Sequence, residues 1–412
     1  MAVPAALAVP GGRHRRLERL TARVDSYGGP PSPAPRNHMT HADLCRSAAG
    51  ALRTVPATFK PEVVVGFDGF IDSIIDVVET RQDGSVYTPF MTISDYGRRV
   101  NEASGKSANF ELVVKQRKIG GNGPIMANAL CSYDFSVTAI GILGESSVDS
   151  VFSPLTTRAK RVITLGTAAS TDALEFSDGK LMMVKQAPMS EVTWARLCER
   201  AGGVTGIKDL LRTAKGVCTN NWTMTIGMTE IWKRFASEIL PGLRTDRPAW
   251  FIDLADPAKR TREDILGAMD ALRALSRHVD IVLGLNEAEC RQILGVLGES
   301  WPSAADEWEA ARLGCVTIRS KLGFSRVVCH LVRSAACAWD GGSAGSDGFF
   351  EPKPMITTGA GDHFNAGFFA GLLAGISPDQ CLVIGGATSG YYVRSGISPS
   401  RSQVAEFLQK YA

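Results

Sequence analysis

Six short apolar runs rich in β-branched residues recur along the chain: 62–66, 137–141, 216–219, 250–254, 281–285 and 326–331. Runs such as Glu62-Val63-Val64-Val65-Gly66 read as buried strands. Between several of them lie helical stretches, among them 125–130 and 261–275. Strand and helix in alternation predict βαβ units, hence an α/β fold with a mostly parallel, Rossmann-like sheet covered by helices on both faces. In such sheets ligands bind beyond the C-terminal ends of the strands, so the residues just after each run are the ones to inspect.

After the first run come Phe67-Asp68-Gly69-Phe70-Ile71-Asp72, which place two carboxylates at a strand end. Carboxylates are good acceptors for sugar hydroxyls; an Asx turn in a solvated loop is the plainer reading. Further on, Gly120-Gly121-Asn122-Gly123-Pro124 opens a helix, with glycines for close backbone approach and Pro124 in the first turn. Directly after the run ending at Leu285, Asn286 and Glu289 share one face of an opening helix. Oxygen groups of that kind suit Mg²⁺, and equally they suit helix capping.

The densest feature is Thr357-Thr358-Gly359-Ala360-Gly361-Asp362-His363-Phe364-Asn365-Ala366-Gly367. Small residues lead through an acid into an apolar helical run. The first amides of a helix lack internal partners and sit at the positive end of its dipole, so an anion, phosphate above all, is the natural guest. A carboxylate there either caps the helix or takes a proton from an attacking hydroxyl.

Taken together, these motifs resemble the ribokinase/PfkB family of carbohydrate kinases over roughly residues 60–410. Thr357 to Asp362 with Phe364 and Asn365 is similar to the family's C-terminal signature, Gly120 to Gly123 to its glycine signature, and Asn286-x-x-Glu289 to its magnesium motif. The resemblance implies a small β lid beside the main sheet and transfer of the γ-phosphoryl group of ATP to an alcohol, with Mg²⁺. It gives Asp362 as general base and the backbone of Thr358, Gly359, Ala360 and Gly361 as the anion hole. It also gives Asn365 near the nucleotide, and Asn286 and Glu289 at the metal, mostly through water. Asp68, Asp72, Gly120, Gly121 and Asn122 would surround a sugar-like substrate. Lid segments fall at about 77–118 and 171–186, the second around an Asp178-Gly179 turn. Relatives suggest a homodimer and a monovalent-cation site near 355–362 and 394–398. Ile356 stands where relatives carry Asp, which weighs against potassium, and His330 to Ala336 replaces their glycine-rich stretch.

The acceptor stays open between a sugar and, in kinases of the same fold, a nucleoside, a sugar phosphate or a vitamin precursor; an inactive binding relative is the other alternative. Ser104-Gly105-Lys106-Ser107 is not a P-loop, because position 100 is Val and no strand leads in. No G-x-G-x-x-G follows the first strand, which removes support for a dinucleotide oxidoreductase. Residues 1–40 read as a flexible Pro/Arg-rich tail, with an organelle-targeting role open, and 41–412 as the kinase domain. Residues 1–60 carry nine basic and three acidic side chains, leaving 36 and 39 for the rest, so the body gives no sign of nucleic-acid binding. Nine cysteines in apolar contexts suggest reduced thiols and a cytoplasmic protein, and no apolar run reaches membrane length.

Overall fold

A computed structural model describes residues 39–412, which form one compact unit. The expectations for the tail, Met39 and Thr40 apart, lie outside the described residues. Fourteen strands occur in chain order: β1 (Glu62–Gly66), β2 (Phe70–Arg81), β3 (Tyr87–Pro89), β4 (Leu112–Gly120), β5 (Ser136–Gly141), β6 (Arg161–Thr164) and β7 (Ala169–Phe176). They continue as β8 (Gly179–Lys185), β9 (Gly216–Thr219), β10 (Ala249–Asp253), β11 (Asp280–Asn286), β12 (Arg326–His330), β13 (Ser334–Trp339) and β14 (Gly342–Asp347).

Nine of these make the main sheet, ordered β14-β13-β12-β11-β10-β9-β1-β5-β6. Its pairs are parallel from β6 to β12, and an antiparallel meander, β12-β13-β14, closes one edge. Both faces are buried, and successive residues show it. In β1, Val64 enters one core while Val63 and Val65 enter the other; in β10, Trp250 and Ile252 face one side and Phe251 the other. This two-sided burial is why the strands read as continuous apolar runs rather than alternating ones. Helices Met228–Arg234, Arg262–Leu275 and Glu307–Leu322 supply side chains to the first core, and Asn122–Ser132, Ala360–Leu373 and Pro378–Ser395 to the second.

The second sheet, β3-β2-β7-β8 with β4 also on β2, is the β lid. It begins earlier than expected: β2 starts at Phe70, so Asp72 sits on a lid strand rather than in a loop after β1. There it pairs with Lys118 of β4 on one side and Thr171 of β7 on the other. The 171–186 hairpin joins this sheet as β7 and β8. A helix, Ile93–Glu102, lies within the lid segment where only short strands were expected; it is capped by Thr92 and buries none of its own residues. Among the described residues no helix is long and apolar enough to cross a membrane.

Candidate active site

The strand ends of β1, β9, β10 and β11 converge on the N-termini of two helices, Asn122–Ser132 and Ala360–Leu373. Asp68, 1% exposed, crosses from the end of β1 to the first of these. Its carboxylate accepts from the amides of Asn122 (2.9 Å) and Gly123 (2.8 Å) and from Asn221 Nδ2 (2.9 Å). These are helix-start amides without internal partners, so Asp68 caps the helix from a distance. The glycines follow from this contact. A Cβ at Gly121, where φ is +86°, would lie 3.0 Å from Asp68 Oδ2, and one at Gly123 2.7 Å from Oδ1. Burial raises the Asp68 pKa to about 6, against the pull of its hydrogen bonds. With both oxygens engaged, Asp68 is a clamp on the glycine turn, and a sugar hydroxyl would have to displace a protein donor. Asp72 is more available. A Cβ at Gly120 would overlap its carboxylate. Burial raises its pKa, with the Lys118 cation and a Thr171 hydrogen bond opposing.

The second helix begins after Gly359, held at φ +92°. The Ala360 amide donates to Thr357 O at 3.1 Å, so it is already engaged. The amides of Thr358, Gly359, Gly361 and Asp362 find no acceptor among the described residues. The available donors thus differ from the expected set by one: Asp362 N–H replaces that of Ala360. Asp362 is buried, and its Oδ1 accepts from Asn122 Nδ2 at 3.0 Å, which ties the two signatures together. Burial, then the nearby Asp68 charge, holds its pKa well above the usual carboxylate range. A desolvated carboxylate is a stronger base than one in water.

Residues behind the loop fix it in place. Tyr392 OH donates to Thr358 O at 3.0 Å, and His363 Nδ1 lies 2.7 Å from Gly359 O. A carbonyl only accepts, so Nδ1 carries the proton, and Nε2, 2.8 Å from Ser398 Oγ, accepts from that hydroxyl. Asn128 Nδ2 donates in turn to Ser398 Oγ at 3.2 Å. The His363 ring stacks on Tyr392 at 3.6 Å. His363 and Tyr392 had no role assigned from sequence. His363 stands inside the signature, but its partners lie up to 35 residues away. Lys180, from the lid, brings Nζ to 3.5 Å from Thr358 Oγ1 and pairs with Glu175 at 2.8 Å.

Asn286 and Glu289 form a capping box. Asn286 Oδ1 accepts from Glu289 N at 3.0 Å, while Glu289 accepts from the amides of Asn286 and Asp256, each at 2.8 Å. The capping reading is therefore realised in the hydrogen bonds. Asp253, at the end of β10 and unremarked in the sequence, is buried beside them. Its pKa is raised by burial and then by the charges of Glu289, Asp362 and Asp68. Asn365 Nδ2 donates to Asp253 at 3.0 Å and its Oδ1 is buried without a partner, which places Asn365 with the carboxylates. No group of three His, Cys, Asp or Glu side chains that could hold a metal directly occurs among the described residues. What the residues fit is Mg²⁺ that keeps most of its waters and arrives with phosphates, drawn by clustered carboxylates and an orphaned amide oxygen.

Beyond Gly361 opens a cavity of about 740 Å³, lined by Asn286, His330, Val332, Phe350, Thr357 and Gly361 among others. It shares Gly361 with the anion loop, whereas Asp362 is not in its wall. Asp362, the free amides and the cavity are thus neighbours through Gly361.

Comparison with known proteins identifies the family. The sequence model of the prokaryotic ketohexokinase family matches residues 41–411. A ketohexokinase of Haloferax volcanii is 28% identical over 353 residues, covering 85% of this chain and 91% of that protein. Among solved structures, Arabidopsis thaliana ribokinase complexed with ribose and ATP has a TM-score of 0.58 at 17% identity, covering 85% of this chain and 99% of that one. A carbohydrate kinase from Agrobacterium tumefaciens has a TM-score of 0.57 at 18% identity, covering 84% and 97%. These two share the ribokinase fold. The chain belongs to the prokaryotic ketohexokinase family and is a carbohydrate kinase, a phosphotransferase with an alcohol acceptor.

Proposed function

We propose that this chain transfers the γ-phosphoryl group of ATP to a hydroxyl of a ketohexose, with Asp362 as the base. The observation that supports it most is the Asp362 carboxylate itself, desolvated, held by Asn122 at 3.0 Å and set beside unpartnered helix-start amides. The acceptor oxygen attacks phosphorus while its proton passes to Asp362. The bond to the β,γ-bridging oxygen breaks, and ADP leaves. The amides of Gly359, Gly361 and Asp362 hold the transferring oxygens, and Asp72 accepts from a sugar hydroxyl. Asp68 acts through the turn, by fixing Asn122 and hence the base. Asn286, Glu289 and Asp253 would hold Mg²⁺ through water, and the ion would neutralise phosphate charge. Closure of the lid would exclude water from the transfer.

Exposed apolar side chains on lid strands β4 and β8, among them Val114, Met182 and Met183, support a homodimer formed there. Nine unpaired cysteines support a reducing, cytoplasmic setting. Lys118 and Lys180, both near Asp72, favour a second reading in which the acceptor already carries a phosphate. An ADP-release assay separates these, using fructose, tagatose, sorbose, the hexulose phosphates, aldoses and nucleosides. Turnover of another class with none on any ketohexose would sink the proposal. On the active substrate, Asp362→Asn lowers kcat by roughly 10²–10⁴; a variant as fast as wild type would remove Asp362 from its role.

A further inference from the structure

His330 ends β12, where the resemblance led one to expect glycine-rich backbone, and its ring opens onto the cavity. One edge faces the anion loop: a Cβ at Gly361 would lie 3.1 Å from His330 Cε1 and 3.2 Å from Nε2. Glycine at 361 is therefore what lets the ring approach the helix start. Phe364 steadies it, with ring centroids 5.2 Å apart. No hydrogen bond engages either ring nitrogen among the described residues, and burial holds the ring neutral, its pKa down at about 4. A neutral imidazole carries one N–H donor and one acceptor. The cavity's cationic side chain, Arg291, is committed elsewhere, paired with Glu287 at 2.6 Å and lying over the Trp301 ring at 4.2 Å.

We propose that His330 binds the phosphate chain of the nucleotide, donating a ring N–H to a phosphate oxygen beside the free amides of Gly361 and Asp362. This rests on the reading of the cavity as the nucleotide site. An N–H donor supplies a hydrogen bond to the anion without placing a further fixed charge among the acids of the cleft. A hydrogen bond to a charged group is worth about ten- to a hundredfold in affinity.

The test compares wild type, His330→Phe and His330→Gln by calorimetry with ADP and by the inhibition constant of adenosine, which has no phosphate. Phe keeps an aromatic ring against Phe364 and removes the donor; Gln restores one. The expected result is ADP binding weakened about tenfold or more in the Phe variant, adenosine unchanged within about twofold, and most of the loss recovered with Gln. Unchanged ADP affinity in the Phe variant overturns the proposal. So does an equal loss for adenosine, which would make His330 merely a wall of the cavity. Should the Phe variant fail to fold, His330→Leu is read by the same criteria. A wild-type protein that binds neither ligand would instead remove the nucleotide-site reading beneath it.

Discussion

Replacing His363 by leucine tests whether the anion loop is held from behind. The change removes the hydrogen bond to Gly359 O, strands the Ser398 hydroxyl and keeps comparable apolar bulk over Tyr392. Two hydrogen bonds with imperfectly replaced partners amount to about 2–4 kcal/mol at pH 7. That corresponds to a fall in Tm of roughly 3–5 °C in a domain of this size. The deficit should also depend on pH. Burial holds the His363 pKa down at about 4, whereas the unfolded chain takes up its proton near 6.5. The stability that His363 contributes is thus complete above pH 6.5 and lost as pH falls toward 4. Between pH 6.5 and 5 the loss is about 2 kcal/mol, so the gap between the proteins narrows by that amount. His330, shifted in the same direction, and Asp68, shifted oppositely, are present in both proteins and cancel in the difference. In an ADP-release assay at pH 7, a loop displaced by even 1 Å lowers kcat by about 10–100-fold. Wild-type kcat, together with a Tm gap that stays flat from pH 7 to 5, would refute the reasoning.

Two further outcomes follow from the same surroundings. Because Gly359 O accepts from both the amide and the Nδ1 of His363, and Thr358 O accepts from Tyr392, a monovalent cation would find at most one open lone pair on these two carbonyls. Exchanging KCl for NaCl or choline chloride at fixed ionic strength should therefore change the rate by less than about twofold; strong activation by K⁺ would show that the loop opens to admit it. Asp253→Asn removes a buried carboxylate whose pKa is raised by burial and by Glu289, Asp362 and Asp68. A raised carboxylate costs more stability as pH climbs, so the variant's Tm should exceed that of wild type by a margin that grows from pH 5 to 8, while its kcat falls; a lower Tm at pH 8 would contradict the charge argument.

The central sheet was legible because burial on both faces writes itself into consecutive apolar residues. Val63, Val64 and Val65 read as one run although they serve two different cores. The lid was less legible for the converse reason. Leu112 and Val114 of β4 are exposed, the helix Ile93–Glu102 brings a half-buried Tyr96 but no buried residue, and the lid core is small, built on Ile75, Val77, Phe90 and Leu174. Asp72 was placed in a loop because its neighbours suggested a strand end. In fact β2 starts two residues before it, and only pairing with β4 and β7 makes that visible. At Asn286 and Glu289 the same two residues satisfy a cap and a metal motif, and nothing in the local sequence separates the roles. His363 needed Ser398, Tyr392 and Asn128, a set of contacts that no local pattern encodes.

The acids at the strand ends show the deeper difference between the two levels of reading. In sequence, Asp68, Asp253, Glu289 and Asp362 are separate: Glu289 and Asp362 are explicable by capping, Asp68 by an Asx turn, and Asp253 draws no notice. In the fold they share one buried cleft, where the charges of Asp68 and Glu289 help raise the pKa values of Asp253 and Asp362. Such crowding works against the folded state, since like charges in poor solvent resist ionisation. It persists where a ligand supplies the missing positive charge, and a ligand bound only by the native state returns stability in proportion to its occupancy. The Mg²⁺ carried with the nucleotide would bring that charge, and placed near Asp362 it would stabilise the carboxylate form when a proton acceptor is needed. The clustering that makes the empty cleft costly would thereby couple the base to arrival of the phosphoryl donor.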